Sequence, residues 1–218
     1  MDHIDPLIIQ KLISYFILIF IITVHEWAHA WTANKCGDPT ARLMGRMTWN
    51  PIPHLDIFGT VLIPLVMIFF SPGIALLGWG KPVPVNPNNF RRLSRDDVLV
   101  SLAGPVSNIV ITVAALLLIR LALLTGSEMG TMAAQVILFP LAMISLFLGV
   151  FNLLPIPPLD GSHLLRPFLG FNGRQLYDRF AQYGFFILLV IINIGILTPV
   201  FRFVEVVFDM LTKIIAGV

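Results

Sequence analysis

The sequence predicts an all-α polytopic membrane protein with four to six transmembrane helices and a short β-hairpin or re-entrant element after the first. Three observations carry that prediction. Hydrophobic residues make up 57% of the 218 and charged residues only 12%, at a mean hydropathy of +0.88; soluble domains carry about twice that charged fraction. The apolar residues are gathered into runs of about 20, the length that crosses a hydrocarbon core. The runs are joined by short polar segments, which leaves no room for a separate soluble domain. Residues 1–218 are therefore expected to form one membrane domain, a core over about 7–165 followed by C-terminal helices over 183–215. A net charge of +2 is too small to suggest a nucleic-acid partner. Cys36 is the only cysteine, which excludes an internal disulfide and a cysteine-built metal cage.

Leu7 to about Trp31 reads as the first span. Ala28-His29-Ala30 has the form of a signal-peptide cleavage site, but Asp2 and Asp5 stand where a basic leader belongs and the apolar run is too long, so the span is expected to be retained. Asn34 to Pro53 is polar; Gly37-Asp38-Pro39 marks a turn, and Thr40 to Trp49 is expected to form a short hairpin. Ile57 to Trp79 is apolar but broken by Ser71-Pro72-Gly73, which suits a re-entrant loop, with a full span as the alternative. Gly80 to Pro87 reads as extended, proline-limited backbone, either a plain connecting loop or an edge that aligns substrate by strand addition. Val98 to Leu124 is a second clear span, and Ala103-Gly104-Pro105 near its start lets another helix approach closely. Thr131 to Leu154 is a third span, which must unwind at Pro155, Pro157 and Pro158. Tyr183 to Leu197 is a fourth apolar stretch. Val200 to Ile215 carries Arg202, Glu205, Asp209 and Lys213 at spacings of three and four, one polar stripe on an apolar helix; it suits an interfacial helix or a span whose polar stripe faces protein.

The chemistry centres on His25-Glu26-Trp27-Ala28-His29, an HExxH pattern at the end of the first span. Positions i and i+4 share a helix face, so both imidazoles can reach one metal ion, with Glu26 placed to act as general base on a metal-bound water. A chance match, or histidines lying at a membrane interface, would account for the imidazoles but not for the glutamate between them; ionisable residues at membrane depth mark function. A catalytic zinc takes three protein ligands and keeps one open position. Asp160, Asp56, His54, His163 and His3 are the candidates for the third ligand. Asp160 is favoured, because its prolines and Gly161 build a rigid, backbone-rich pocket.

Charge distribution gives a test of that choice. Basic residues cluster in Asn34–Pro53, Lys81–Asp97 and Ser162–Gln182, and the loop Thr125–Gly130 has none. The positive-inside rule makes the first three cytoplasmic. HExxH and Asp160 then lie at the same, cytoplasmic, depth, provided that Ile57–Trp79 enters and leaves on one side.

HExxH closing a span, Gly-Pro-x-x-Asn on a second span and Asn-x-x-Pro-x-x-x-x-Asp-Gly closing the next resemble the site-2 protease family of intramembrane zinc metalloproteases, over about Ile17 to Leu165. The resemblance implies one zinc ion per chain held by His25, His29 and Asp160, with Glu26 as catalytic acid/base. It implies a role for Asn152 in holding substrate or the oxyanion. Asn108 either lines the site or serves as polar glue between helices. The resemblance also implies a multi-pass protein of the cell membrane whose substrates are membrane proteins cut in or near a transmembrane segment. It is closest to compact members without PDZ or CBS domains, with a longer stretch between HExxH and Gly104-Pro105. The competing readings are a di-iron membrane hydroxylase, for which five histidines are too few, a non-catalytic relative that binds membrane segments, and a zinc transporter.

Overall fold

A computed structural model describes residues 5–70 and 78–218. Helix α1 (Pro6–Cys36) begins where the Asp5 carboxylate accepts from the Leu7 amide at 2.9 Å, with Pro6 at the first helical position. A short helix α2 (Thr40–Leu43) follows. The apolar helix α3 spans Ile57–Phe70 and opens with a π-type turn. It is followed by α4 (Leu93–Leu124), α5 (Glu128–Asn152), α6 (Gly161–Leu165), α7 (Phe171–Ala181), α8 (Gly184–Asn193) and α9 (Thr198–Ala216).

α1, α4 and α5 are each long and apolar enough to cross a membrane, and α8 with α9 adds a fourth span if that pair, bent by 76°, counts as one. Against the expected four to six spans there are three, or four with that pair. The turn at Ile194–Leu197, with Gly195 at positive φ, divides the last apolar run into two helices too short or too charged to cross separately. The expected hairpin over Thr40–Trp49 is corrected: the stretch holds α2 and a series of turns, and no strand occurs among the described residues. Asp38 explains the difference. Its carboxylate accepts from the Thr40 amide at 3.1 Å and so starts a helical turn. It also takes the Asn86 amide at 2.7 Å and Asn89 Nδ2 at 2.8 Å, which ties this corner to a distant segment.

The Ser71-Pro72-Gly73 break lies outside the described residues, but the two ends of its stretch meet. Asp56 caps α3 by accepting from Phe58 and Gly59 amides at 3.0 and 2.7 Å. Trp79 returns beside that first turn: its N–H donates to the Gly59 carbonyl at 3.2 Å and its carbonyl accepts from Thr60 Oγ1 at 2.6 Å. The two described ends of the apolar stretch therefore meet at one place, as a re-entrant element requires.

The helical core is a tight α1–α4–α5 packing. Ile21, Ala30 and Ala33 of α1, Leu116 and Ile119 of α4 and Ala142 of α5 are fully buried. Polar groups in this seam are satisfied across helices. Ser145 Oγ of α5 donates to the Asn108 carbonyl of α4 at 2.9 Å, and Thr112 Oγ1 donates to the Ala142 carbonyl at 3.3 Å. With no water available at that depth, such bonds add specificity to van der Waals packing. After Asn152 the chain turns repeatedly through Leu159, and α6 starts immediately beyond Asp160. A side chain at Gly161 would overlap the Leu153 and Leu154 carbonyls, so glycine is what lets the chain fold back on this unwound turn.

Candidate metal centre

Two chain segments meet at one point. His25 and His29 lie one helical turn apart on α1, both buried, and their Nε2 atoms are 3.0 Å from each other. Asp160, from the unwound turn between α5 and α6, brings Oδ2 to 3.1 Å from His25 Nε2 and 3.3 Å from His29 Nε2. Among the described residues this is the one group of three or more histidine, cysteine or carboxylate side chains close enough to hold an ion.

The donor set fits a zinc ion. Metal–nitrogen bonds of about 2.0–2.1 Å place neighbouring tetrahedral ligands a little over 3 Å apart, which is the spacing found. The tautomer fits as well. His29 Nδ1 lies 2.7 Å from the Val100 carbonyl, which can only accept, so Nδ1 carries a proton and Nε2 is the ring atom left to bind an ion at the centre. The buried Asp160 Oδ2 faces the same point with no other hydrogen-bond partner. Two imidazole nitrogens and a carboxylate oxygen within 3.3 Å of one another are a donor set that a cation would hold together. Gly104 of α4 closes the other side: a Cβ there would overlap His25 and His29 Nε2. Close approach of α4 to α1 and clearance around the imidazoles thus depend on the same missing side chain.

Glu26 is half-buried beside the pair, and its Oε2 accepts from the Val83 amide at 2.8 Å. The extended segment around Val83 is held from its other side. The Lys81 amide donates to the His54 carbonyl at 2.9 Å, and Arg46 Nη2 donates to the Lys81 carbonyl at 2.6 Å. Since Pro82 and Pro84 have no N–H and those of Lys81 and Val83 are taken, the Lys81–Pro84 stretch has no amide left for strand addition. Through the Val83 amide this stretch packs on the glutamate.

The other candidates for a third ligand are employed elsewhere. His54 is fully buried, with Nε2 3.0 Å from the Thr48 carbonyl. Asp56 caps α3. His163 Nδ1 pairs with Asp97 Oδ1 at 3.3 Å, joining α6 to the first turns of α4. His3 lies outside the described residues. Asn152 ends α5 with Nδ2 bonded back to the Leu148 carbonyl at 2.9 Å. Asn108 is fully buried in the α4–α5 seam against Gly149, and its side-chain amide has no partner among the described residues. Sequence reasoning did not single out Val83, Val100 or Arg46. The first two act through backbone groups that every residue carries, and Arg46 looks like any loop cation until its carbonyl partner is known.

The model of peptidase family M50 matches residues 13–135 and 121–195 of this chain. The chain is 38% identical over 186 residues to a Bacillus subtilis protein named "Putative zinc metalloprotease YwhC", an alignment covering 83% of this chain and 81% of the relative. It is 31% identical over 197 residues to "Putative zinc metalloprotease Rip2" of Mycolicibacterium smegmatis, covering 88% and 71%. With the Rip2 of Mycobacterium tuberculosis H37Rv it shares 32% over 171 residues, covering 78% and 62%. No solved structure matches the chain.

Proposed function

Since the chain belongs to peptidase family M50, the site-2 protease family, we propose that it is a zinc-dependent intramembrane endopeptidase that hydrolyses peptide bonds in or near transmembrane segments of other membrane proteins. The observation that carries this reading is the convergence of Asp160 Oδ2 on the Nε2 atoms of His25 and His29. The ligands are assigned as His25, His29 and Asp160, holding one zinc per chain.

Zinc bound there supplies Lewis-acid polarisation of water and of the scissile carbonyl. Glu26 takes a proton from the attacking water on a carboxylate oxygen and returns it to the departing amine. The Val83 amide orients that carboxylate through Oε2. The Val100 carbonyl fixes the His29 ring, so its Nε2 needs no reorganisation. Asn152, at the point where α5 unwinds, is assigned to hold substrate or the oxyanion. Asn108 is assigned to packing, because it is turned into the α4–α5 seam. A helical substrate segment shields its own peptide bonds and must unwind locally, so helix-breaking residues near the cut lower the cost. The active centre is assigned to the cytoplasmic side, where the basic loops gather.

The test is Glu26→Gln. Membranes of cells carrying it should accumulate uncut membrane proteins relative to wild type, while the purified variant keeps its zinc. Zinc-dependent cleavage persisting in that variant would remove Glu26 from the chemistry.

A further inference from the structure

Helix α9 presents four charged side chains, Arg202, Glu205, Asp209 and Lys213, along one face, and all four are exposed. Among the described residues none of them makes an ion pair. The opposite face of α9 is packed along two membrane-crossing helices. Phe201 stacks near Phe147 of α5, with ring centroids 5.4 Å apart. Phe208, Leu211 and Ile215 pack against the buried cluster of Ala115, Leu116 and Ile119 of α4 and Ala134 and Ala142 of α5. Arg120, near the far end of α4, donates from Nη1 to the Ile215 carbonyl at 3.2 Å. α9 therefore packs antiparallel along α5 and beside α4, at the level of two helices long and apolar enough to cross a membrane. Arg202 and Lys213, near its two ends, can extend their heads toward the headgroups. Glu205 and Asp209 are short and lie between, beside the middle of α5, where a lipid-facing carboxylate is costly. Something other than lipid must cover this stripe.

We propose that the Arg202–Lys213 stripe is the contact between two copies of this chain. The charge order, plus, minus, minus, plus, carries the argument. Two copies inserted in the same direction are related by a two-fold axis along the membrane normal, so their α9 helices run parallel. Arg202 of one copy then lies one turn, roughly 4.5 Å along the axis, from Glu205 of the other, and Asp209 lies about 6 Å from Lys213. Helical side chains all lean toward the N-terminus, so the lean leaves these offsets unchanged, and the long Arg202 and Lys213 side chains span them. Symmetry doubles both pairs, and all eight charges are matched. A partner carrying one sign of charge would leave half the stripe unmatched. The contact lies on the C-terminal helix and is independent of the protease reading.

The experiment uses the full chain in lipid bilayers with Val206→Cys as a reporter. Val206 is 66% exposed next to the stripe, and the native Cys36 is buried. Mild oxidation should yield a disulfide-linked dimer at Val206→Cys and none at Phe186→Cys, an equally exposed site on α8. Adding Arg202→Glu should remove most of the dimer, and the swap Arg202→Glu/Glu205→Arg, which conserves the charges, should restore it. A chain that stays monomeric at Val206→Cys, a dimer indifferent to Arg202→Glu, or a swap that restores nothing would overturn the proposal. So would a Val206 crosslink to a different membrane protein in place of the dimer. Should Arg202→Glu alone fail to fold, the reporter and the swap still decide.

Discussion

A missing methyl group shapes the candidate metal centre. Gly104 leaves the space in which the His25 and His29 imidazoles turn their Nε2 atoms toward Asp160. Gly104→Ala keeps helix propensity and adds one carbon, so α4 should still form while the imidazoles are displaced. The expected result is loss of bound zinc, read by metal analysis of the purified protein, with helix content by circular dichroism unchanged. Full zinc occupancy in Gly104→Ala would show that the space is not needed. Asp38 is the corresponding case for stability. Burial pushes its carboxyl up, but hydrogen bonds from Asn89, from Thr40 and from the Asn86 amide outweigh that and hold it below the usual carboxylate range. A carboxylate whose folded-state value is depressed contributes stability above its unfolded value and loses it as pH falls through the folded one. Asp38→Ala should therefore lower thermal stability at neutral pH, by about 1–3 kcal/mol for a buried bonded group. The difference from wild type should shrink in acid, below the ordinary aspartate range. A pH-independent difference would mean that the ionised form is not what stabilises the corner.

The same accounting works between elements. α6 is a five-residue helix that could not persist alone; the turn bearing Asp160 is held by what α6 touches. His163 on α6 pairs with Asp97 on α4, and that hydrogen bond, against some desolvation, raises the imidazole above its ordinary value, with Asp160 adding to the effect and Arg166 opposing it. The sign is opposite to that of Asp38. A raised histidine contributes stability that is complete below its unfolded value, near pH 6.5, and disappears as pH climbs through the folded value. His163→Ala should cost stability in mildly acidic buffer and little in alkaline buffer, measured as the melting-temperature difference across pH 5.5 to about 9. A constant difference would assign His163 to packing alone. The elements also divide into those legible from sequence and those not. α1, α4 and α5 follow from long apolar runs, and the unwinding before Asp160 follows from three prolines. α2 was hidden because its start depends on Asp38, whose partners Asn86 and Asn89 lie far along the chain. No local pattern separates that corner from a hairpin.

For the whole molecule, the candidate centre is a question of parity. HExxH is a local pattern and readable at sight, but Asp160 was favoured among five candidates for its proline-rich, glycine-closed turn, and the test of that choice was that two chain segments reach one depth on one side. That required Ile57–Trp79 to return to its starting face, which composition alone left open. The bonds from Trp79 to Gly59 and Thr60 bring the two ends of that stretch together, and Asp160 meets both imidazoles. The topology can be read directly in sealed vesicles of known orientation with a membrane-impermeant thiol reagent. Arg42→Cys, Asn88→Cys and Arg179→Cys, each exposed, should label from the cytoplasmic side, and Ser127→Cys, in the loop without basic residues, from the opposite one. Arg42 and Asn88 flank the excursion, so they are the decisive pair. If they labelled from opposite faces, Ile57–Trp79 would cross the bilayer, α4 and α5 would run the other way, and Asp160 would fall at the opposite face from His25 and His29, so that either the span assignment or the ligand would be wrong.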